Sequence, residues 1–316
     1  MAPSAPPSTH GAICGTMAIG RPDRNPTRGN GTMRITTVRH QGVSRIAVHE
    51  QGDRWAVSPT PGDLGEHLCA GTVPEAGYDW PRVTAEALTF LAPLPHPPRN
   101  VICLGLNYAD HARESQQAKG DELALPEAPV VFTKATTSVA GPYDDFILDP
   151  SVTSELDWEV ELAVVIGRGG RHIREQDALQ HVFGYTVVND LSARDLQFRH
   201  KQFFLGKSVD GSCPMGPWIT TANAVPNPHN LALSCRINDT TEQQSHTGEM
   251  VFSIPRIIAE LSRVMTLIPG DIIATGTPAG VGFARTPPRF LQAGDIVTSE
   301  VEGLGTLRNR IVAPDS

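Results

Sequence analysis

The stretch Glu155-Leu-Asp-Trp-Glu-Val-Glu-Leu-Ala-Val-Val165 decides the fold of this chain, because it places carboxylates where a β-strand enters an apolar core. In an extended chain, successive side chains alternate between the two faces. One face of this stretch therefore carries its four acids, Glu155, Asp157, Glu159 and Glu161. That face continues as Ala163 and Val165, so we expect the later carboxylates to approach buried territory rather than open water.

Carboxylates this close together need a compensating charge. Two of them about 4 Å apart repel by about 4 kcal/mol at an effective dielectric constant of about 20. A fold keeps such a pair only if a proton, a cation or solvent relieves the repulsion. Glu159 and Glu161 are therefore candidate oxygen ligands for a hard cation such as Mg²⁺ or Mn²⁺. A solvated acidic edge strand explains the same alternation, and this stretch alone leaves both interpretations open.

The composition excludes several classes of function. The chain has 316 residues, 40% of them hydrophobic, which is enough for a sizeable core in one or two domains. A net charge of −8 argues against a nucleic-acid partner, which needs a basic stripe. The five cysteines are far apart and lack CxxC spacing, which indicates a reducing compartment. With no apolar run of about 18 residues, we expect no membrane partner and a cytoplasmic location, with the mitochondrial matrix less favoured.

The chain divides into three segments. Residues 1–32 are rich in Pro, Gly, Ser, Thr and Arg and lack hydrophobic periodicity, which predicts a disordered extension. Its arginines permit an organelle-targeting segment, but no amphipathic face supports one. Residues 33–95 are predicted to form a small N-terminal domain of short strands with a helix over Thr84–Leu91. The stretch Pro93–Asn100 contains four prolines and is the natural linker. Residues 96–314 form the larger domain.

Strand patterns dominate the larger domain. Strands are predicted at Val101–Leu106, Val130–Thr133, Glu159–Ile166, Phe183–Asn189, Leu231–Ile237, Asp271–Thr275 and Ile296–Val301. Helices are predicted chiefly at Asp177–Val182, Ser192–Lys201 and Ile254–Val264. Because the strands do not alternate regularly with helices, the pattern favours a β-rich α+β fold over a doubly wound one.

Further candidate residues follow two of these strands. Asp190 ends an apolar strand, where rigid backbone would hold a metal ligand. Alternatively, Asp190 or Ser192 caps the next helix and Arg194 pairs with Asp190, which this segment taken alone favours. His111 and Glu114 share a helix face, and a carboxylate that accepts the imidazole N–H makes the pair a candidate water activator. HxxE by itself is a weak signal, and a surface histidine beside a solvated glutamate is the commoner arrangement. The polar segment 115–124 is typical of a mobile lid.

Two glycine-containing segments read as loops. Phe204–Pro217 presents Lys207 between turn formers. Ala274–Gly282 offers backbone N–H groups and the Thr277 hydroxyl, which could bind a carboxylate. Neither matches a Walker loop or a dinucleotide fingerprint, and each taken alone is more often a turn than a binding site.

Together the motifs are specific. The order NYxxHxxE, FxK, ExE, NDxSARDxQ, GKSxDGxCPxGP and PGDxIxTGTPxGVG closely resembles the fumarylacetoacetate hydrolase superfamily, and most of all its branch of fumarylacetoacetate hydrolase domain-containing proteins. The match runs from about Val101 to Val312. The resemblance implies a mixed β-roll catalytic domain, a divalent metal ion and a homodimer. The N-terminal domain varies in this family, so residues 33–95 gain little from the resemblance.

The resemblance also implies roles for single residues. The metal ligands would be Glu159, Glu161 and Asp190, and the cation Mg²⁺ or Mn²⁺. His111 and Glu114 would form a catalytic dyad on the lid, and Lys207 would polarise a substrate carbonyl or a metal-bound group. The substrate pocket would be lined by Lys134, Arg194, Gln197, Gly276 and Thr277.

The activities implied share one kind of chemistry. Three carboxylates leave about half of an octahedron open, enough for a small 2-oxo or 2,4-dioxo carboxylate to chelate the cation and form a stabilised enolate. We rank hydrolysis of a C–C bond in an acylpyruvate or fumarylpyruvate first, with His111 and Glu114 activating the water. The alternative is an oxaloacetate tautomerase or decarboxylase, which needs no attacking water. A non-catalytic metal-binding scaffold is the remote third possibility.

Overall fold

The computed structural model describes residues 33–314 apart from Pro74, Asp121 and Leu123. The predicted disordered extension, residues 1–32, lies outside the described residues. The strands are β1 Arg34–His40, β2 Val43–Gln51, β3 Arg54–Pro61, β4 Arg82–Thr84, β5 Thr89–Phe90, β6 Val101–Gly105, β7 Val130–Lys134, β8 Val139–Ala140, β9 Phe146–Ile147, β10 Leu156–Asp157, β11 Val160–Ile166, β12 Val182–Asn189, β13 Ser192–Ala193, β14 Cys213–Thr221, β15 Ala232–Ile237, β16 Thr240–His246, β17 Ile272–Ala274, β18 Ile296–Val301 and β19 Gly305–Val312. The helices are α1 Leu64–Cys69, α2 Ala109–Lys119, α3 Arg194–Arg199, α4 Phe204–Lys207 and α5 Ile254–Val264. Single 3₁₀ segments lie at Ala85–Ala87, Thr136–Ser138, Glu175–His181, Ala222–Ala224 and Thr247–Glu249.

Two large sheets pack against each other. In the described chain, the larger sheet has twelve strands, ten of which run in the order β4-β3-β2-β1-β14-β12-β11-β17-β6-β7, with β5 and β8 paired beside it. The smaller sheet runs in the order β16-β15-β18-β19-β9. The pair β10–β13 forms a separate short ladder. Parallel and antiparallel pairs are mixed, and the predicted β-rich α+β fold of the β-roll type is confirmed.

Strand β11 separates two apolar layers. One set of its side chains, Val160, Leu162, Val164 and Ile166, packs towards the smaller sheet and α5. The other face carries Ala163 and Val165, which pack into a second cluster. Glu161 precedes these two on the same face, because side chains alternate along a strand. Glu161 therefore stands at the start of the strand face that continues with the buried apolar residues Ala163 and Val165, as the alternation in the sequence predicts.

The N-terminal strands continue the larger sheet. Strand β1 pairs antiparallel with β14, with Arg34 opposite Thr220 and Ile35 opposite Ile219. Ile35 and Leu64 share a buried cluster with Ala163 of the central strand. Residues 33–95 are thus joined to the rest by backbone hydrogen bonds and by a common core. Their treatment as a domain of their own remains a prediction.

Helix α5 forms where the sequence predicts it. The Ser253 hydroxyl accepts a hydrogen bond from the N–H of Arg256, and a proline stands in the first turn, two features that favour helix initiation. The residues buried at the i, i+3, i+4 and i+7 positions are Ile254, Ile257, Ile258 and Leu261. They place one apolar stripe against the smaller sheet.

The predicted helix over Thr84–Leu91 is wrong. Only Ala85–Ala87 forms a 3₁₀ turn, and Thr89–Phe90 is strand β5, in which Phe90 lies opposite Val38 of β1. Tertiary strand pairing overrides the modest helix propensity of this short segment. No helix in the described part of the chain is long and apolar enough to cross a membrane.

Three further predictions need correction. The segment around Asp177–Val182 is a 3₁₀ helix at Glu175–His181, and the helix predicted over Ser192–Lys201 begins as strand β13 and is helical only from Arg194 to Arg199. Phe204–Pro217 is not one loop, because it contains helix α4 and the start of strand β14. In the polar segment 115–124, helix α2 continues as far as Lys119 and Gly120 ends it with a positive φ; the mobility of this segment stays a prediction.

Candidate active site

The register between β11 and β12 brings the three candidate ligands together. Val160 lies opposite Asn189, so the residues just beyond this pair, Glu159 and Asp190, are neighbours, and the Asp190 N–H donates to the Glu159 carbonyl at 2.9 Å. Carboxylate oxygens of Glu159, Glu161 and Asp190 lie within 4.8 Å of one another, and all three residues are buried. The ladder, rather than the spacing along the sequence, therefore builds the cluster.

Glu161 is the least compensated member of the cluster. Its Oε2 accepts a hydrogen bond from the backbone N–H of Gly276 at 2.7 Å, while its buried Oε1 has no hydrogen-bond partner in the described chain. Burial is the main reason that the pKa of Glu161 is raised well above its ordinary value, and repulsion by Asp190 and Glu159 adds to it. A neutral or metal-bound Glu161 relieves this cost.

Two lysines bind the other two carboxylates. Lys207 Nζ donates to Glu159 Oε2 at 2.8 Å and to Asp190 Oδ2 at 2.7 Å. Lys134 Nζ donates to Asp190 Oδ1 at 2.7 Å and to the Leu191 carbonyl at 3.0 Å. Burial alone would lower the pKa of Lys207, but Asp190 and Glu159 outweigh it and raise that pKa. Lys207 is therefore a charged partner of both acids, and Lys134 forms a buried ion pair with Asp190.

Arg194 completes the charge balance. Its guanidinium lies 2.7 Å from Glu159 Oε1 and 2.9 Å from Asp157 Oδ2. Burial opposes ionisation of Glu159, but the positive charges of Lys207 and Arg194 prevail and lower its pKa to about 2. Helix α3 has Ala193 at its N-cap with no side-chain capping bond, and Arg194 pairs with Asp157 and Glu159. The alternative in which Asp190 or Ser192 caps the helix and Arg194 pairs with Asp190 is therefore wrong.

Asp157 has a structural role. Its carboxylate accepts the N–H groups of Gly282 and Phe283, at 2.7 and 3.0 Å, in addition to the Arg194 contact. It thus ties the loop after β17 to strand β10. Asp157 and Glu159 stand on one face of the predicted strand, but only Glu159 joins the three-carboxylate cluster.

The cluster fits a divalent cation. The three acids supply hard oxygen atoms, which Mg²⁺ and Mn²⁺ prefer, and the unpartnered Oε1 of Glu161 is a buried acceptor that such an ion would satisfy. Four carboxylates, including Asp157, face only three cationic side chains. With Glu161 ionised, the site therefore has an excess negative charge, which a bound cation would compensate.

His111 and Glu114 meet on helix α2 as predicted. His111 Nδ1 lies 3.6 Å from Glu114 Oε2, and Nε2 lies 3.4 Å from the Ser115 hydroxyl. Both oxygens of Glu114 accept the N–H of Gly280 at 3.0 Å. His111 is buried, so the pair is not a solvated surface pair. The helix is docked through Glu114 onto the loop after β17.

One cavity opens onto this cluster. Its polar wall includes His111, Glu159, Arg194, Gln197, Lys207 and Thr277. Its apolar wall includes four phenylalanines, Phe132, Phe198, Phe203 and Phe283. Arg194, Gln197 and Thr277, which were predicted to line a substrate pocket, all line this cavity, and their contact with substrate stays a prediction. Lys134 is instead behind Asp190, and Gly276 contributes only its backbone N–H to Glu161.

Sequence reasoning missed the amides that hold the site together. Gln243 Oε1 accepts the Val160 N–H at 3.0 Å, and its Nε2 donates to the Thr277 hydroxyl at 2.8 Å. Asn189 Oδ1 accepts the Glu159 N–H at 3.0 Å. Asn107 donates to the Thr275 carbonyl at 2.7 Å. Gln243 lies in a strand that the sequence did not predict, whereas Asn107 and Asn189 stand inside quoted motifs and could have been considered.

Comparisons with known proteins show what this chain is similar to. The family described as fumarylacetoacetate (FAA) hydrolase C-terminal matches residues 100–312. A protein of Bacillus subtilis (strain 168) named oxaloacetate tautomerase YisK is 51% identical over 220 residues, which cover 70% of this chain and 72% of the relative. The human protein named oxaloacetate tautomerase FAHD2A, mitochondrial, is 46% identical over 234 residues, which cover 73% of this chain and 72% of the relative.

Solved structures share the fold. The fumarylacetoacetate hydrolase from psychrophilic Exiguobacterium antarcticum is 42% identical, with a TM-score of 0.79, and the alignment covers 89% of this chain and all of that one. The structure titled 5-carboxymethyl-2-hydroxymuconate delta-isomerase, from Mycobacterium smegmatis, is 31% identical, with a TM-score of 0.73 over 89% of this chain and all of that one. The fold thus carries proteins named as hydrolases, isomerases and tautomerases.

Proposed function

Because this chain belongs to the fumarylacetoacetate hydrolase family, we propose that it is a divalent-metal-dependent tautomerase that interconverts the enol and keto forms of oxaloacetate or a closely similar 2-oxo acid. The sequence alone favoured C–C hydrolysis. The relatives named as oxaloacetate tautomerases, at 51% and 46% identity, support the alternative better. Mg²⁺ or Mn²⁺ is the proposed cation.

One observation carries the proposal: three buried carboxylates converge beside the cavity that also holds His111. At such a site a divalent cation supplies Lewis-acid polarisation of a carbonyl oxygen and stabilises negative charge developing on it. Glu159, Glu161 and Asp190 would hold the ion. With a doubly charged ion present, the excess negative charge of the site becomes an excess positive charge. A dicarboxylate such as oxaloacetate is then attracted electrostatically.

The side chains on the cavity wall divide into fixed charges and one proton carrier. Lys207 and Arg194 are bound to the acidic residues, so their protons are held in ion pairs. His111 lines the same cavity, and its buried Nδ1 makes no hydrogen bond in the described chain. Enol–keto interconversion removes the proton of the enol oxygen and adds one to the α-carbon, the carbon next to the carbonyl carbon, or the reverse. We assign this transfer to His111, with Glu114 orienting the ring.

Hydrolysis of a 2,4-dioxo acid is the second candidate. The His111–Glu114 pair could activate a water molecule, and one neighbour in structure is titled fumarylacetoacetate hydrolase. Tautomerisation needs only the proton transfer. Hydrolysis needs, in addition, room for a water molecule beside the distal carbonyl. The two reactions would therefore share the metal site. They would use the His111–Glu114 dyad differently, to transfer a proton in tautomerisation and to activate a water molecule in hydrolysis.

A substrate comparison tests the proposal. Purified protein with Mg²⁺ should accelerate the loss of enol-oxaloacetate far more than the release of pyruvate from oxaloacetate or the cleavage of acylpyruvates and fumarylpyruvate, and EDTA should abolish the effect. The matched control is a protein carrying Glu161→Gln, which removes one charge of the cluster at nearly constant volume. Rapid acylpyruvate cleavage with no effect on enol-oxaloacetate would favour the second candidate instead.

The proposal extends to assembly and location. We propose a homodimer in the cytoplasm, following the resemblance and the sequence composition. Two mammalian relatives are named as mitochondrial, so fractionation of source cells is the direct test of location. Light scattering on the purified protein tests the dimer.

A further inference from the structure

The orientation of Glu114 depends on one backbone group. Both oxygens of its carboxylate accept the N–H of Gly280 at 3.0 Å, and Oε2 is also the atom 3.6 Å from His111 Nδ1. Helix α2 and the loop after β17 are distant in sequence, so this contact fixes where the dyad stands. Whatever holds Gly280 therefore also places Glu114.

Gly280 is pressed against the backbone of strand β16. Its φ is +105°, and a Cβ atom built there would lie 2.1 Å from the carbonyl oxygen of Glu242. Such a close approach is open only to glycine. The guanidinium of Arg285 bridges the two segments, because its NH2 donates to the Glu242 carbonyl at 3.0 Å and to the Gly280 carbonyl at 3.3 Å.

The side chain of Glu242 fixes that bridge. Its carboxylate is almost fully buried, lies 2.6 Å from Arg285 NH2 and also pairs with Arg289. Both arginines are partly exposed, with about four-tenths of each side chain accessible. The buried Glu242 carboxylate therefore fixes the guanidinium groups of Arg285 and Arg289, and Arg285 in turn donates a hydrogen bond to the Gly280 carbonyl. Trp158 Nε1 also donates to the Gly280 carbonyl, at 3.2 Å.

We infer that Glu242, through Arg285 and Gly280, is a positioning residue for the His111–Glu114 dyad. The inference rests on the proposed function, because it supposes that the dyad moves a proton. Glu242 itself lies outside the residues that line the cavity as described and outside the three-carboxylate cluster. Its effect is confined to where the Glu114 carboxylate stands and how firmly it is held.

Glu242→Gln tests this at nearly constant volume. The variant keeps the backbone carbonyl but weakens the hold on Arg285, so Gly280 and helix α2 should loosen. Hydrogen exchange should then be faster in peptides covering 109–119 and 278–283. We expect kcat for enol–keto conversion to fall about tenfold, since small misplacements of catalytic groups cost between tenfold and a hundredfold. KM and the affinity for Mg²⁺ should stay unchanged, because the metal site is not touched.

Asp271→Asn is the matched control. Asp271 is also a buried acid paired with a partly exposed arginine, Arg99, and it accepts the Ile268 N–H just before strand β17; neither partner belongs to helix α2 or to the loop that contains Gly280. Asp271→Asn should lower the free energy of unfolding about as much as Glu242→Gln does. It should leave hydrogen exchange in residues 109–119 and kcat at their wild-type values. A general loss of stability would affect both variants alike, whereas a positioning role affects only Glu242→Gln.

A double-mutant cycle separates positioning from an independent structural effect. If Glu242 acts through Glu114, then Glu114→Gln/Glu242→Gln should have the kcat of Glu114→Gln alone. Multiplying losses in the double variant would overturn the inference, and so would wild-type exchange in Glu242→Gln. If Glu242→Gln fails to fold, Arg285→Met replaces it, and kcat of Arg285→Met, of Glu114→Gln and of the double variant are compared in the same way. If the wild-type protein turns over none of the substrates, the proposed function fails, yet the exchange comparison still decides whether Glu242 holds helix α2.

Discussion

The backbone N–H of Gly276 donates to Oε2 of Glu161 at 2.7 Å and leaves Oε1 of this buried carboxylate without a partner in the described chain. The contact follows from the ladder between β11 and β17. Ala163 lies opposite Ala274 in this antiparallel pair. Glu161, two residues before Ala163, therefore faces Gly276, two residues after Ala274. The sheet therefore aims one oxygen of Glu161 at the cluster.

The first prediction is that metal binding stabilises the fold. Three buried carboxylates repel one another, and a cation bound only by the folded state adds about 2.7 kcal/mol to the free energy of unfolding at a concentration of about 100 times Kd. Mg²⁺ or Mn²⁺ should therefore raise the melting temperature, and EDTA should lower it and abolish activity. Calorimetry checks this. Full activity and an unchanged melting temperature after exhaustive chelation would contradict the metal assignment.

The second prediction concerns proton release. Without metal, burial and the neighbouring acids raise the pKa of Glu161, so the folded protein keeps a proton that the unfolded chain has already lost above the ordinary pKa. This group therefore lowers the stability of the metal-free protein as the pH rises above that value. Metal binding should expel the proton. Titration calorimetry in buffers with different ionisation enthalpies counts it, and Glu161→Gln should release none.

The third prediction separates the two candidate reactions. His111→Ala removes the proposed proton carrier, so it should reduce turnover by about a hundredfold or more, the usual scale for lost acid–base catalysis. Affinity for Mg²⁺ should not change, because His111 is not a member of the carboxylate cluster. Steady-state kinetics with enol-oxaloacetate and with an acylpyruvate measure both reactions. If His111→Ala loses hydrolysis but keeps tautomerisation, the His111–Glu114 dyad takes part only in hydrolysis, and the proposed proton transfer by His111 in tautomerisation is wrong.

The fourth prediction uses two glycines with similar backbone angles. Gly276 has φ +98° and a Cβ there would lie 2.9 Å from Asn107 Cβ, whereas Gly294 has φ +101° and nothing within 4 Å. Both substitutions to alanine strain the backbone by about 1–3 kcal/mol. Only Gly276→Ala also displaces the donor to Glu161. Denaturant unfolding and Mg²⁺ titration should therefore show loss of stability in both variants and weaker metal binding in Gly276→Ala alone. Equal metal affinity would show that the Gly276 bond does not shape the site.

The fifth prediction concerns residues 1–32. Their composition lacks a core-forming pattern, so a protein beginning at Met33 should fold, assemble and turn over substrate like the full chain. Melting temperature, light scattering and kcat compared side by side provide the test. A drop of several degrees, or a change in assembly, would show that the extension packs against the rest.

The site was predictable where local alternation and register determine it. The two-residue period of Glu159, Glu161, Ala163 and Val165 already places the acids at the rim of an apolar face, and the structure keeps that face. The start of helix α5 follows from Ser253 and the proline after it. Such features depend on near neighbours in the chain, which is why a single sequence reveals them.

The remainder depends on contacts between distant segments. Strand β14 contains Pro214, Gly216 and Pro217, which locally indicate a loop, yet it pairs with β1, β8 and β12 in the middle of the sheet. Gln243 and Glu242 act on a loop more than 30 residues away along the chain. No periodicity encodes such contacts, because the pairing of β16 with β15 and the packing of the sheets create them.

The pairing of β1 with β14 bears on aggregation and on the design of chimaeric proteins in which the N-terminal segment comes from a relative. Without residues 33–95, the edge of β14 beside Arg34 and Ile35 would lose its partner, and its N–H and C=O groups would be open to strands of other molecules. The N-terminal segment thus covers an edge of the sheet that carries the carboxylate cluster and keeps that edge from pairing with other molecules. A chimaeric protein can replace this segment only with one that supplies a strand in the same place, whatever its other sequence.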